Sequence, residues 1–114
     1  MTSSTRARIR GPLKVLICES NELSGLKLRR LLELRGHAPE LVTLDEALAR
    51  VAADACDRLL IDAQLVPATR LDTSVIALSS SSSPAAEHAC RAAGIVRCLT
   101  KPVPAAELWA ALDD

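Results

Sequence analysis

Arg58-Leu59-Leu60-Ile61-Asp62 runs three aliphatic residues straight into one carboxylate, and the chain then turns through Ala63-Gln64-Leu65-Val66-Pro67. A short unbroken apolar run bounded by turn residues reads as a strand buried on both faces, as in a parallel sheet. An aspartate at the carboxyl end of such a strand lies where open parallel sheets bind ligands. The rest of the chain reads as a frame that holds Asp62 at that edge.

Upstream, Leu13 to Cys18 (LKVLIC) is a first strand, and Glu19-Ser20-Asn21 is the polar break at its end. Ser20 or Asn21 can cap a helix over residues 22 to 35. Its spacing puts Leu23, Leu26, Leu31 and Leu34 on one core face, with Lys27, Arg29, Arg30, Glu33 and Arg35 as the polar remainder. Gly36 sits where a left-handed cap belongs. Glu40 to Leu44 (ELVTL) is a second strand, and Thr43 with Glu46 fits a capping box. The helix it opens reaches Ala55 and buries Ala47, Leu48, Val51 and Ala55.

Downstream, Thr73 to Leu78 (TSVIAL) is the fourth strand, ending in a serine run from Ser79 to Ser83 that reads as a flexible loop. Ser83-Pro84 opens a third helix, which carries Ala85, Ala89, Ala92 and Ala93 and ends at Gly94. Ile95 to Thr100 (IVRCLT) is the fifth strand, broken by Lys101-Pro102. Pro104 starts a last helix with Leu108 and Leu112 inward and Trp109 on its flank. This alternation argues for a parallel sheet with helices on both faces. Only residues 63–73 separate strands three and four, too few for a helical crossover, so a loop or single turn is expected. The sheet is then expected to be thinly covered on one face there, and such a face offers room for a partner or small ligand near residues 63–73.

The chain has 114 residues, enough for one domain, and is 49% hydrophobic. Its core must be aliphatic, because Trp109 is the one aromatic residue. The 14 basic and 14 acidic residues cancel, which gives no overall case for nucleic-acid or membrane binding. Residues 1–12 are polar and basic and read as a disordered tail or linker before a domain over 13–114. Cys18, Cys56, Cys90 and Cys98 form no C-x-x-C pair and read as free thiols in a reducing compartment, with Cys18 and Cys98 as small core residues. No signal peptide or bilayer-spanning run is present, so a cytoplasmic location is expected. No Gly-rich phosphate loop and no Ser/His/Asp arrangement speaks for another small α/β enzyme.

Glu19, Asp62, Ser79 and Lys101-Pro102 stand at the carboxyl ends of strands one, three, four and five. The ordered set KVLICESNE, RLLIDAQ, VIALS and LTKP resembles the receiver domain of bacterial two-component response regulators, over roughly residues 14–112. The resemblance implies a flavodoxin-like, doubly wound sheet of five parallel strands in the order 2-1-3-4-5. It makes Asp62 the acceptor of a phosphoryl group from a kinase phosphohistidine. Lys101 then pairs with the phosphoryl oxygens, and Ser79 hydrogen-bonds one of them. Glu19, Asp62 and the Gln64 carbonyl become ligands of Mg²⁺.

Three departures from the family pattern stand out. Ser20 replaces the second of two adjacent acids, which weakens the Mg²⁺ site. Cys98 occupies the position of the aromatic switch residue. The turn and helix after the acceptor strand are eroded to Leu65-Val66-Pro67-Ala68-Thr69-Arg70. The leading expectation is therefore a degenerate receiver, excised from a multidomain protein such as a hybrid histidine kinase, that regulates by binding. Its implied partners are a histidine kinase, a phosphotransfer domain or another receiver in the same chain. The alternatives are a working Mg²⁺-dependent phosphoacceptor, with weak autodephosphorylation as its one catalytic act, and a pseudo-receiver that binds a nucleotide second messenger.

Overall fold

Val-, Leu- and Ile-rich runs bury both faces only when flanked by neighbours on each side, and that is how the central strands are placed. A computed structural model of the chain describes residues 12–71, 74–80 and 84–113. The strands are β1 (Lys14–Cys18), β2 (Ala38–Leu41), β3 (Arg58–Asp62), β4 (Val75–Ser79) and β5 (Arg97–Thr100). All pair in parallel, in the order β2-β1-β3-β4-β5. The helices are α1 (Glu22–Leu34), α2 (Leu44–Ala52), α3 (Pro84–Ala92) and α4 (Ala105–Asp113). A single 3-10 turn, Ala63–Leu65, follows β3 where the sequence left no room for a helix.

The pleat splits the core in two. Val15, Ile17, Leu60, Ile76 and Leu78 pack under α1 and α4, against Leu28, Leu32, Leu108 and Leu112. Leu16, Leu59, Ile61, Val75 and Ala77 face the other way, against Ala47 of α2 and Cys90 and Ala93 at the end of α3. Thr43 caps α2 in the expected capping box, and Asn21 caps α1 through its side-chain oxygen and the Ser24 N–H. Gly36 and Gly94 take the left-handed conformation at φ +87° and +82° that ends α1 and α3. Leu108 and Leu112 point inward and Trp109 lies half-buried, as the spacing predicts.

Several expectations are corrected. In α1 the buried stripe is Gly25, Leu28 and Leu32, whereas Leu23, Leu26 and Leu34 are 61%, 46% and 66% exposed. Gly25 explains the choice. A Cβ there would sit 3.1 Å from Leu41 Cδ2, so the glycine lets α1 lie close on β2 with its own stripe turned in. β2 is Ala38–Leu41, not 40–44, and accepts Pro39 because it is an edge strand. Helix α2 stops at Ala52, which leaves Ala55 exposed. Cys98 is exposed and not core, because β5 is the other edge strand and buries every second residue only in part.

The sheet face beside β3 and β4 is not thinly covered either. Leu59, Ile61, Val75 and Ala77 have no exposed surface. Leu65, Val66 and Leu71 of the connecting segment lie on them, and the Leu71 N–H donates to the Ala93 carbonyl at 2.8 Å. An irregular loop does the covering that a helix would have done. Residues 1–11, Thr73 and Ser81 to Ser83, on which the tail, the start of strand four and the Ser83 cap depend, lie outside the described residues.

His37 ties the start of β1 to the end of α1. Its Nδ1 accepts the Leu13 N–H at 3.1 Å, so the ring proton sits on Nε2. Burial holds its pKa below the ordinary 6.5. The unfolded chain therefore binds a proton here more readily than the folded one, and this contribution to stability is full above about pH 6.5 and is lost below it. The urea midpoint is expected to fall from about pH 7.5 to about pH 5.5, and to fall less in His37→Gln.

Candidate functional site

The pleat decides which side chains meet. Ile17, Leu60 and Leu99 face α1 and α4, so the residues two positions on, Glu19, Asp62 and Lys101, emerge on that same side. The Lys101 N–H is anchored to the Ser79 carbonyl at 2.7 Å, and the Lys101–Pro102 peptide is cis. Lys101 Nζ lies 2.8 Å from both carboxylate oxygens of Glu19 and 3.4 Å from Asp62 Oδ2. The Ser20 hydroxyl donates to Asp62 Oδ2 at 2.6 Å, and the Gln64 N–H donates to Oδ1 at 2.9 Å. The side chains of Glu19, Asp62 and Lys101 are only 2%, 5% and 17% exposed.

Two buried carboxyls this close share their charge unequally. Burial pushes Glu19 up from its ordinary value, and its hydrogen bond with Asp62 pushes it further. Burial also works against the charge on Asp62. Hydrogen bonds from Glu19, Ser20 and the Gln64 N–H, together with the Lys101 charge, overcome it and bring Asp62 down to about 2. Any proton held by the pair sits on Glu19, and Asp62 stays ionised. Cys18 behind them is pushed up to about 11, by burial first and then by the Asp62 and Glu19 charges.

The donor set suits a hard cation. Asp62, Glu19 and the carbonyl of Gln64 are oxygen ligands of the kind Mg²⁺ takes. Glu19 Oε2 is buried 2.8 Å from Lys101 Nζ, and burial first, then Asp62, raise the Glu19 pKa, so two buried carboxyls share one ammonium. Ser20 brings a hydroxyl to this edge and donates it to Asp62. No group of three or more His, Cys, Asp or Glu side chains suited to a metal occurs among the described residues.

Ser79 ends β4 and is buried. Two residues beyond Ala77, it emerges on the opposite face and lines a separate cavity with Cys90 and Cys98. Ser80 instead lines the cavity over Asp62, which encloses about 550 Å³ and is walled also by Lys27, Leu28, Leu31 and Val103. The period-two count along β4 carried that signal in the sequence. Nothing in the sequence pattern pointed to Ser20 as a donor to Asp62, because that contact depends on how the β1–α1 turn folds over β3.

No protein-family model matches the chain. Over 96% of its length it is 31% identical to a stretch of the sensory/regulatory protein RpfC of Xanthomonas campestris pv. campestris, and it spans 17% of that protein. Among solved structures it is similar to the receiver domain of a sensor histidine kinase from Pseudomonas aeruginosa, which holds a magnesium ion in its active-site cleft. The TM-score there is 0.72 at 21% identity, over 90% of this chain and 95% of that one. It is also similar to a response-regulator receiver domain protein of Methanospirillum hungatei, with a TM-score of 0.68 at 19% identity over 88% and 90% of the two chains. The signal receiver domain of a diguanylate cyclase from Desulfovibrio desulfuricans gives 0.68 at 23% identity, over 90% and 91%. At these identities the solved structures establish the fold. No helix among the described residues is long and apolar enough to cross a membrane.

Proposed function

This chain is a receiver-type domain, like those of two-component response regulators, and we propose that it relays a signal through a phosphoryl group accepted on Asp62. The observation that carries this reading is the setting of Asp62: a buried carboxylate at a strand end, with the Lys101 ammonium 3.4 Å away, donors from Ser20 and the Gln64 N–H, and a cavity above it. An ionised carboxylate is the nucleophile that in-line phosphoryl transfer needs, and the rest of the work is electrostatic. Lys101 swings from Glu19 to the incoming phosphoryl oxygens. Ser80 and the Gln64 N–H line the same space. Mg²⁺, held by Asp62, Glu19 and the Gln64 carbonyl, would offset the charge that gathers on the phosphoryl group. The donor is a phosphohistidine on a kinase or phosphotransfer domain, and the domain works in the cytoplasm.

The binding-only reading loses the open sheet face that favoured it, since Leu65, Val66 and Leu71 fill that face. What still favours it is Ser20, which leaves the cation with one carboxylate fewer. A two-dimensional amide NMR titration with Mg²⁺ and then beryllofluoride separates the two. Shifts that spread from Asp62 to Lys101 and β5, and vanish in Asp62→Ala, are the expected result. Ser20→Asp should tighten Mg²⁺ about tenfold, since a further unit charge near 4 Å is worth roughly 1–4 kcal/mol. No response to beryllofluoride in wild type or Ser20→Asp would leave a pseudo-receiver that acts by binding alone.

A further inference from the structure

Cys98 pairs in register with Ala77, on the open side of β5. Cys90, in the last turn of α3, packs into the same core cluster as Ala77. Both thiols line a cavity of about 420 Å³ with Ser79, Arg91 and Thr100. Cys98 is reachable from solvent, whereas Cys90 is 3% exposed. We propose that Cys90 and Cys98 form a reversible disulfide when the protein meets peroxide, which makes this cleft a redox-sensitive modification site.

The division of labour follows from access. The two cysteines line one cavity, and burial, with the neighbouring Cys98, pushes Cys90 up to about 11. Cys98, the exposed one, meets the oxidant first, and Cys90 follows from its buried position, losing its proton as it attacks. The Cys98 thiolate attacks one peroxide oxygen, the O–O bond breaks, and hydroxide leaves and takes up the proton that Cys98 lost. The product is a sulfenic acid on Cys98. Cys90 then attacks that sulfur. The S–S bond forms, the S–O bond breaks, and the departing hydroxide takes the Cys90 proton as water. Two thiols and one hydrogen peroxide give one disulfide and two waters. A low-molecular-weight dithiol reverses the step. The bridge would tie α3 to β5 beside Ser79. Transient disulfides of this kind are the form that redox sensing takes in reducing compartments. The other cysteines lie elsewhere: Cys18 is buried in β1 and Cys56 precedes β3.

The test treats the full chain with hydrogen peroxide, alkylates the remaining thiols with a maleimide and reads intact mass and peptide linkage. The expected result is loss of two of the four alkylatable thiols, a linked Cys90–Cys98 peptide, and recovery of both thiols with dithiothreitol. Cys98→Ser and Cys90→Ala should each abolish the linkage, and Cys56→Ser should leave it intact. Four thiols still alkylated after a dose that fully oxidises free glutathione would overturn the proposal. So would a linkage through Cys56, or a Cys98 sulfinic acid with no bridge. None of these readouts depends on phosphorylation of Asp62, so the outcome stands apart from the acceptor reading.

Discussion

Leu60→Ala is expected to lower the free energy of unfolding by about 2–5 kcal/mol, read from the urea midpoint. Leu60 has no exposed surface, pairs in register with Ile17 and Ile76 on either side, and lies in the cluster under Leu28, Leu32 and Leu108. Every neighbour is held by its own strand or helix, so the space cannot close, and the cavity adds to the lost transfer energy. A domain of this size has only about 5–15 kcal/mol in total, so the variant stands near the limit of folding. Leu23→Ala is the paired control. Leu23 is 61% exposed, and its loss should cost no more than about 0.5 kcal/mol. A larger cost at Leu23 than at Leu60 would overturn the assignment of the α1 faces.

Lys101→Ala is expected to cost about 3 kcal/mol at neutral pH and to steepen the pH response that Glu19 already has. Among the described residues, the ammonium is the one cation in contact with two carboxyls whose side chains are 2% and 5% exposed. Without it, Glu19 loses the interaction that restrains its upward shift, and Asp62 loses part of what holds it down. The cost has a ceiling, because Glu19 can take up a proton. Protonating a carboxyl of ordinary value 4.5 at neutral pH costs about 1.4 kcal/mol per pH unit, or roughly 3 kcal/mol. The folded state of the variant then binds this proton more tightly than the unfolded chain does. Its contribution is full below the unfolded value of 4.5 and is lost as pH rises through the folded one. Lys101→Ala should therefore recover stability, relative to wild type, as pH falls from about 7 to about 5. A deficit that stays constant over that range would mean that the two carboxyls are not electrostatically linked to Lys101. The same variant should lose most of its beryllofluoride response, since no other cation touches Asp62 among the described residues.

The chain's local order carries most of the architecture. Runs such as VLI in β1 and LLI in β3 can be satisfied only where sheet neighbours and helices cover them completely, so their place at the centre of a parallel sheet follows from composition. The Thr43 and Glu46 box and Gly36 act over one turn, and they stand where their chemistry requires. The trio Glu19, Asp62 and Lys101 was legible for the same reason: strand ends in a parallel sheet share an edge, and period-two counting gives the face.

What depended on contacts between distant segments was not legible. Helix α1 has leucines at 23, 26, 28, 31, 32 and 34, enough for two competing stripes, and periodicity cannot rank them. The close approach of Gly25 to Leu41 across the α1–β2 contact ranks them, because only one rotation of the helix puts the missing Cβ there. The 63–71 segment has no period at all, so its role as cover for Leu59, Ile61, Val75 and Ala77 emerges only when Leu71 bonds to Ala93 and Leu65 and Val66 meet the sheet. Cys98 reads as core in the run IVRCLT, but an edge strand has a neighbour on one side only, and β5 is an edge. Charge obeys the same division. The sequence names two carboxyls and an ammonium. Their burial together, with Ser20 folded over Asp62, decides that Glu19 keeps the proton and Asp62 the charge.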